Sequence, residues 1–409
     1  MNKNIKLAVA GAVLALGATA ANAGIIIPAG DWTVDIGGNV NSFYTHTKNS
    51  GALNVLNSDN TKQQVQTGLL PSALGIGAKT RQNDLDVAFQ FSFFTGSNAN
   101  GTDNLNNSAT SNGGLGYSSL NIRQSYLSFG DKSWGTILVG RNLGVFGSDA
   151  ILSDMTLLGV GSGAGGSGSS TLGRIGSGYI YADWKAQIAY TTPNFNGFDA
   201  TVAVTEGTGQ LDNSNLGYEG KAAYSFAAND LTGKIWVGGK HAKMQTNTAG
   251  AAPSATVAGG VLTEHDARAA EIGAKLGFAG AELVGYYYDG KNVDSGIGTA
   301  INTNATTVTT ALFDGGRDNN GGYVQATYVL PFKTKIGVSY GLSTIERKNA
   351  DLRDGEREAW VVGAYHPLTK HLNLVAEYNN LEVTSATATA AAGFEGKAKT
   401  ASLGAILFF

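Results

Sequence analysis

Charged side chains set among apolar ones are the residues of this sequence with the most chemistry to explain. Between positions 120 and 183, Arg123, Arg141 and Arg174 are interleaved with aliphatic, aromatic and glycine residues, and Asp149 and Asp154 lie between the second and third arginines. Arginines beside carboxylates across a narrow passage create a transverse field. Water dipoles and polar solutes align in it, whereas apolar solutes lose hydration without compensation. That chemistry selects solutes and breaks no bonds. Other groupings are thin. The chain has 5 His and no Cys. His366 and His371 flank a turn in HPLTKH, where a solvated turn is a stronger reading than a metal site. The acidic stretch from Asp314 to Gly321 lacks the spacing of a calcium loop. No G-x-S-x-G elbow with triad partners is present. No catalytic centre, metal or cofactor is therefore expected, and without a basic cluster neither is a nucleic-acid partner.

Elements that position such charges must follow from the chain's periodicity. Residues 1–23 read as a signal peptide. Lys3 and Lys6 precede an uncharged apolar run from Leu7 to Thr19, and Ala21-Asn22-Ala23 is a small-x-small cleavage site. The run is shorter than the ~20 apolar residues a helical span requires. No comparable run follows, so residues 24–409 carry no helical membrane span. Charged residues make up only 14% of the chain, and there are 58 Gly against 6 Pro. That is below the charge content of a soluble surface and fits a broad belt facing lipid.

Alternation at period two recurs along the chain. Trp32, Val34, Ile36, Gly38, Val40 and Tyr44 fall on one face, and Thr33, Asp35, Asn39, Asn41 and Thr45 on the other. Leu85, Val87, Phe89, Phe91 and Phe93 alternate with Asp84, Asp86, Ala88, Gln90 and Ser92. Short turns near 81–83, 131–133, 193–197, 228–230, 279–280, 331–334 and 367–371 take turns with long polar loops. The loops fall near 46–70, 96–118, 142–177, 206–216, 241–268, 289–319, 346–357 and 384–396. Seven turns and eight loops give sixteen strands, with short connections on one side of a membrane and long ones on the other. The low-complexity run 161–170, GSGAGGSGSS, reads as a loop tip. The fold expected is all-β, a 16-stranded antiparallel transmembrane β-barrel. Ala401, Leu403, Ala405, Leu407 and Phe409 form a last apolar face ending in Phe. Tyr44, Phe94, Tyr286, Tyr288, Tyr340, Tyr365 and Phe408 are candidates for interfacial girdles. An Arg facing lipid near the midplane would cost ~2–4 kcal/mol, which directs Arg123 and Arg174 to the lumen.

The run NIRQSYLSFGDKSWGTILVGRNLGVFGSDAILSDM, followed by LGRIGSGYIYADW, resembles the general diffusion porins of Gram-negative bacteria. In that family a strand bearing an arginine leads to a second strand ending in GRN-x-G. A third loop then folds inward and narrows the pore. The resemblance implies that Arg123 and Arg174 are wall arginines, that Gly140–Gly144 is the GRN-x-G motif, and that Asp154 is the loop's acid, with the constriction loop spanning about 142–177. Arg141 is either a constriction residue or a strand-end anchor of the loop, and Asp149 either faces the pore or caps a short helical turn. Two positions depart from the pattern: Leu158 stands where a second loop carboxylate is found, and Ala73 where a further wall arginine is found. The constriction is then less polarised than in relatives, with three arginines against one or two aspartates.

The function implied is passive diffusion of small hydrophilic solutes and ions, with weak anion preference and no catalysis. A homotrimer in the outer membrane is implied, in contact with lipid and lipopolysaccharide, assembled through the strand ending in Phe409. A substrate-specific channel for a sugar, phosphate or organic acid is the alternative, followed by a structural or adhesive barrel. A barrel enzyme is the weakest.

Overall fold

The computed structural model describes residues 24–51, 60–97, 120–162, 170–206, 215–247, 262–293, 317–347, 355–385 and 394–409. The signal segment, the run 163–169 and most of the outer loop tips lie outside these residues. The described chain is almost entirely strand: β1 (Ile25–Ala29), β2 (Trp32–Gly51), β3 (Thr61–Gln66), β4 (Ser72–Gln82), β5 (Leu85–Thr95), β6 (Asn121–Asp131), β7 (Gly135–Leu143), β8 (Trp184–Thr191) and β9 (Phe198–Thr205). It continues with β10 (Gly217–Ala228), β11 (Leu231–Asn247), β12 (Leu262–Phe278), β13 (Ala281–Lys291), β14 (Arg317–Val329), β15 (Lys335–Arg347), β16 (Gly355–Pro367), β17 (Leu372–Ser385) and β18 (Phe394–Phe408). No helix among the described residues is long and apolar enough to cross a membrane.

Each strand pairs antiparallel with its neighbours, and β18 closes the sheet on β2 from Gly51–Gly396 to Asn39–Phe408. The eighteen segments form sixteen barrel strands. β3 and β4 both pair with β2, at Phe43–Lys48 and Thr33–Asn39, and are one strand interrupted at 67–71. β1 pairs with Trp32–Ile36 of β2, in line with β18 beyond its end. Closure leaves no free sheet edge in the lipid, where an unpaired N–H or C=O has no water to bond. The expected sixteen strands and the alternation of connections are both present.

The short turns fall where expected. Asn83 and Asp84 both take positive φ (47° and 63°), as do Ala279 and Gly280 (48° and 85°). This is the mirror-image two-residue turn whose twist matches a hairpin. Two strands outrun the expected loop at 241–268: β11 and β12 stay paired from Leu231–Phe278 to Asn247–Leu262. Backbone pairing continues past the point where apolar alternation stops, so hydropathy under-reads strand length.

One face of each strand carries exposed apolar residues, including Val40, Tyr44, Phe91, Val139, Ile188, Val237, Leu283, Val338 and Leu403. This is the lipid face. Asn39, Asn41, Thr45 and Ser92 are buried on the other. Of the girdle candidates, Tyr44 and Tyr340 are exposed on the outer face, whereas Phe94, Tyr286, Tyr288 and Tyr365 are buried inside the barrel and Phe408 packs against the same inner cluster. They share a cluster with Phe43, Phe146, Ile151, Met155, Val160, Tyr179 and Tyr323. The reason is the third loop, which lies inside the barrel and gives these inward aromatics an apolar surface to cover.

Candidate functional site

The third loop runs from Gly144 to Asp183, between β7 and β8, and is wider than the expected 142–177 at its far end. At Gly147 a φ of 79° turns the chain into the short helix α1 (Ser148–Ser153). A 3-10 turn (Met155–Leu158) follows. Asp154 caps that turn. Its carboxylate accepts the Thr156 N–H at 2.9 Å and the Thr156 hydroxyl at 2.7 Å, satisfying donors a helix end leaves unpaired.

Three glutamates on the inner wall hold the loop by its backbone. Glu219 of β10 accepts the N–H groups of Val145 (2.7 Å) and Phe146 (3.0 Å) on one oxygen and meets Lys185 of β8 with the other. Glu271 of β12 accepts Gly147 N–H at 3.0 Å and the Tyr286 hydroxyl at 2.8 Å. Glu377 of β17 accepts Val160 and Gly161 N–H at 2.7 and 2.8 Å, and the Tyr365 hydroxyl at 2.6 Å. Gly159 permits this approach, because any Cβ there would collide with the Glu377 carboxylate. Gln325 of β14 adds two bonds, accepting from Met155 N–H at 2.8 Å and donating to Ser153 O at 2.9 Å. Where β3 breaks from β4, Leu69 N–H donates to Gly159 O at 2.8 Å and Thr171 N–H to Gly68 O at 3.1 Å. The inward break in that strand thus docks the loop's far end. Sequence reading missed these glutamates. Their one signal was an acid at an inward position among small and apolar residues, as in AAEIGAKL and NLVAEYNN.

The five expected constriction residues are distributed differently from the expectation. Asp149 is buried on α1, with one oxygen 2.7 Å from Lys221 of β10 and the other on Lys234 of β11. Burial pushes its carboxyl up, but the two ammonium groups and their hydrogen bonds outweigh this and hold it below the ordinary carboxylate range. It faces lysines, and the capping role falls to Asp154. Asp154 itself is buried, also accepting the Tyr179 hydroxyl at 2.8 Å, and does not present its charge to open water. Arg174 departs from the lumenal expectation as well. It is wholly buried, 5.0 Å over the Tyr323 ring, and bonds Ser339 and Ser177. Burial pushes its guanidinium down against the pull of Asp154.

Arg141 sits opposite Ser125 and Ala186, in phase with the exposed Val139 and Ile188. Its face is therefore the outward one, where it pairs with Glu206 at 3.5 Å. At a strand end such a pair meets the interface, where a charge costs little. The inward phase of these strands is fixed by Gln124, which bonds both Ser92 and Asn142. Arg123 is the extra residue of a β-bulge between Ile122 and Gln124 and lies 4.7 Å over Phe94. It stays partly accessible. Leu158 packs on the loop's apolar cluster and Ala73 is buried against it. His366 bonds Thr334 at 2.9 Å across the turn. Among the described residues no group of three His, Asp or Glu could hold a metal ion.

A closed sixteen-stranded barrel with an apolar outer belt and a loop folded along its inner wall is an outer-membrane channel. The chain belongs to the Gram-negative porin family, whose model matches residues 8–386. It conducts small solutes across the outer membrane by passive diffusion. Its fold is similar to the anion-selective porin from Comamonas acidovorans, at 17% identity over 92% of this chain and 100% of that one (TM-score 0.59). Salmonella typhi OmpF, in complex with daunomycin, is similar at 16% identity over 94% and 100% (TM-score 0.60). Outer-membrane expressed OmpT of Vibrio cholerae is similar at 14% identity over 94% and 100% (TM-score 0.58). Among curated proteins none matches the sequence.

Proposed function

We propose that the chain is a homotrimeric, weakly anion-preferring general porin, secreted with cleavage after Ala23, that passes small hydrophilic solutes with no catalytic step. The observation that carries the reading is the neutralisation of Asp149, on the loop's short helix, by Lys221 and Lys234. Asp154 is buried in hydrogen bonds. The charge left accessible at the loop is therefore positive, on Arg123 and on Lys234, whose side chain is 34% exposed. Inward positions of β8, β11 and β12 carry Lys185, Lys240 and Lys275, of which Lys185 is paired with Glu219 and Lys275 with Glu282. In this reading Arg123, Lys221 and Lys234 set the ion preference, Arg174 and Asp154 hold the loop, and Arg141 seats the barrel's rim. The anion selectivity named for the Comamonas acidovorans porin and the trimer form of Vibrio cholerae OmpT lend support. The outer belt meets lipid and lipopolysaccharide, and the β18 strand with Phe409 addresses the barrel assembly machinery.

The test is conductance in a planar bilayer under a KCl gradient. Steps in threes, with a reversal potential on the chloride side, are expected. The variant Arg123→Ala/Lys234→Gln should move the reversal potential toward potassium. A wild-type channel that prefers potassium, or a double variant that keeps the wild-type value, would refute the charge assignment.

A further inference from the structure

The return arm of the third loop, from 170 to 183, is held by cations where the outgoing arm is held by glutamates. Arg174 donates through Nη1 to the Ser339 hydroxyl at 2.5 Å and through Nη2 to the Ser177 carbonyl at 3.1 Å. Arg357, at an inward position of β16, donates through Nε to the Ser177 hydroxyl at 3.0 Å. Ser343, opposite Arg357 on β15, accepts the Gly178 N–H at 2.9 Å. Two guanidinium groups thus converge on one serine of the loop, and both are fully buried.

Their donors are not used up. Nη1 and Nη2 of Arg357 and Nε of Arg174 meet no acceptor. No carboxylate lies within ion-pair distance of either guanidinium among the described residues. Asp154, whose charge acts on Arg174, gives its oxygens to Thr156 and Tyr179. Two cations against one carboxylate leave one positive charge in excess. A buried charge without a partner is strongly unfavourable and draws in a counter-ion or neutralises. A third group lies close by in register. Asn319 of β14 is opposite Ile345, which is opposite Gly355, two pairs along from the row Gly321–Ser343–Arg357 and so on the same inward face. Its amide is fully buried, and neither Nδ2 nor Oδ1 has a partner. Gly321 puts no side chain of its own into that row, and the Tyr288 ring and Ser343 hydroxyl lie against it.

We propose that this part of the inner wall binds one small monovalent anion, of the halide class, behind the loop. Arg357 Nη1 and Nη2 are the principal donors and Asn319 Nδ2 is a further one. The charge excess of one sets the valence. The two guanidinium groups offer only N–H donors there, and their charge excess favours an anion over neutral water or a cation. The site lies in the wall, apart from Arg123, Lys221 and Lys234, and does not depend on the ion preference of the channel. Its effect is structural: a bound halide neutralises Arg357 and so stabilises the clip between Ser177–Gly178 and strands β15 and β16.

The test uses the purified full-length protein in detergent micelles. Its unfolding midpoint is measured in sodium chloride and in sodium gluconate at equal ionic strength. A saturable rise of the midpoint with chloride is expected, with bromide substituting for it. Arg357→Gln should abolish that rise while still folding, and Arg357→Lys should keep part of it. Crystals grown in bromide should show anomalous scattering beside the Arg357 guanidinium, a readout that needs no variant. Equal midpoints in chloride and gluconate would overturn the proposal. So would a full chloride response in Arg357→Gln, or no bromide signal at Arg357.

Discussion

At the residue scale, the charges that matter are those the fold leaves unneutralised. Asp149 bridges Lys221 and Lys234, so it cancels positive charge where the loop meets the wall. Asp149→Asn frees both ammonium groups. A unit charge about 8 Å from the ion path in water changes an ion's energy by about 0.5 kcal/mol, roughly a twofold change in local concentration. Anion and cation shift in opposite senses, so the chloride-to-potassium permeability ratio should rise about fivefold, read from the reversal potential. The pH dependence has a definite sign. The Asp149 carboxyl is held low in the fold. Its contribution is fully present above the ordinary carboxyl range of about 4 and is lost as pH falls through the lower folded value. Any difference between wild type and Asp149→Asn should then stay constant from about pH 8 to pH 5 and shrink only below about pH 4. A difference that vanished near pH 6 would show that Asp149 is not the group responsible. Some of this was legible in the sequence. A period-two count from Ile137 and Val139 sets Arg141 on the lipid side without coordinates, although the resemblance had counted it among the constriction arginines. The partners of Asp149 were not legible, because Lys221 and Lys234 lie 72 and 85 residues away and only barrel closure brings them across the lumen.

At the scale of elements, the third loop is a hydrogen-bonded lining of the wall. Its outgoing arm gives backbone N–H groups to Glu219, Glu271 and Glu377 in turn. Glu377→Ala removes the acceptor of two buried N–H groups and of the Tyr365 hydroxyl, each costing about 1–3 kcal/mol when left unpaired. The loop's far end should loosen while the barrel stays closed. Open-channel current noise should rise, and protease cleavage within 155–175 should quicken in the folded protein. Quiet channels with wild-type cleavage would mean that Gln325 and the 67–71 break hold the loop without Glu377. The turns offer a separate test. Ala279 has a positive φ that costs an L-residue roughly 1–2 kcal/mol and that asparagine tolerates. Ala279→Asn should raise stability by about 1 kcal/mol, seen as a higher urea midpoint at unchanged slope. The strand count and turns were legible because period two and the turn residues are local signals. The inward direction of Phe94, Tyr286, Tyr288 and Tyr365 was not. An aromatic at a strand end looks the same whether it meets lipid or a loop folded inside, and only the loop's path decides.

At the scale of the whole molecule, the barrel is closed by the two ends of the described chain against one strand. β18 pairs with β2 down to Asn39–Phe408, and Phe409 exchanges two backbone hydrogen bonds with Gly38, at 2.9 and 3.1 Å. β1 then takes over the same edge of β2 at Ile36 and follows it to Trp32. The edge of β2 is thus covered by two segments in series, and Phe409 is the residue that joins them. An uncovered stretch of that edge would leave N–H and C=O groups facing lipid, where no water replaces the lost partners. The Phe409 ring also lies over Gly38, where the Ala73 carbonyl leaves no room for a side chain. Deleting Phe409 removes both hydrogen bonds, worth about 0.5–1.5 kcal/mol each in water and more at the membrane interface, and opens a gap between β18 and β1. Because β1 is only five residues long, it cannot shift to fill the gap without losing its own register with β2. The protein lacking Phe409 should reach the outer membrane in reduced amount and show less of the compact, heat-resistant band on unboiled gels, with the loss greater than for Phe409→Leu, which keeps the backbone bonds. Equal loss in both variants would place the requirement on the aromatic ring and its recognition during assembly; no loss in either would show that β1 alone seals the barrel.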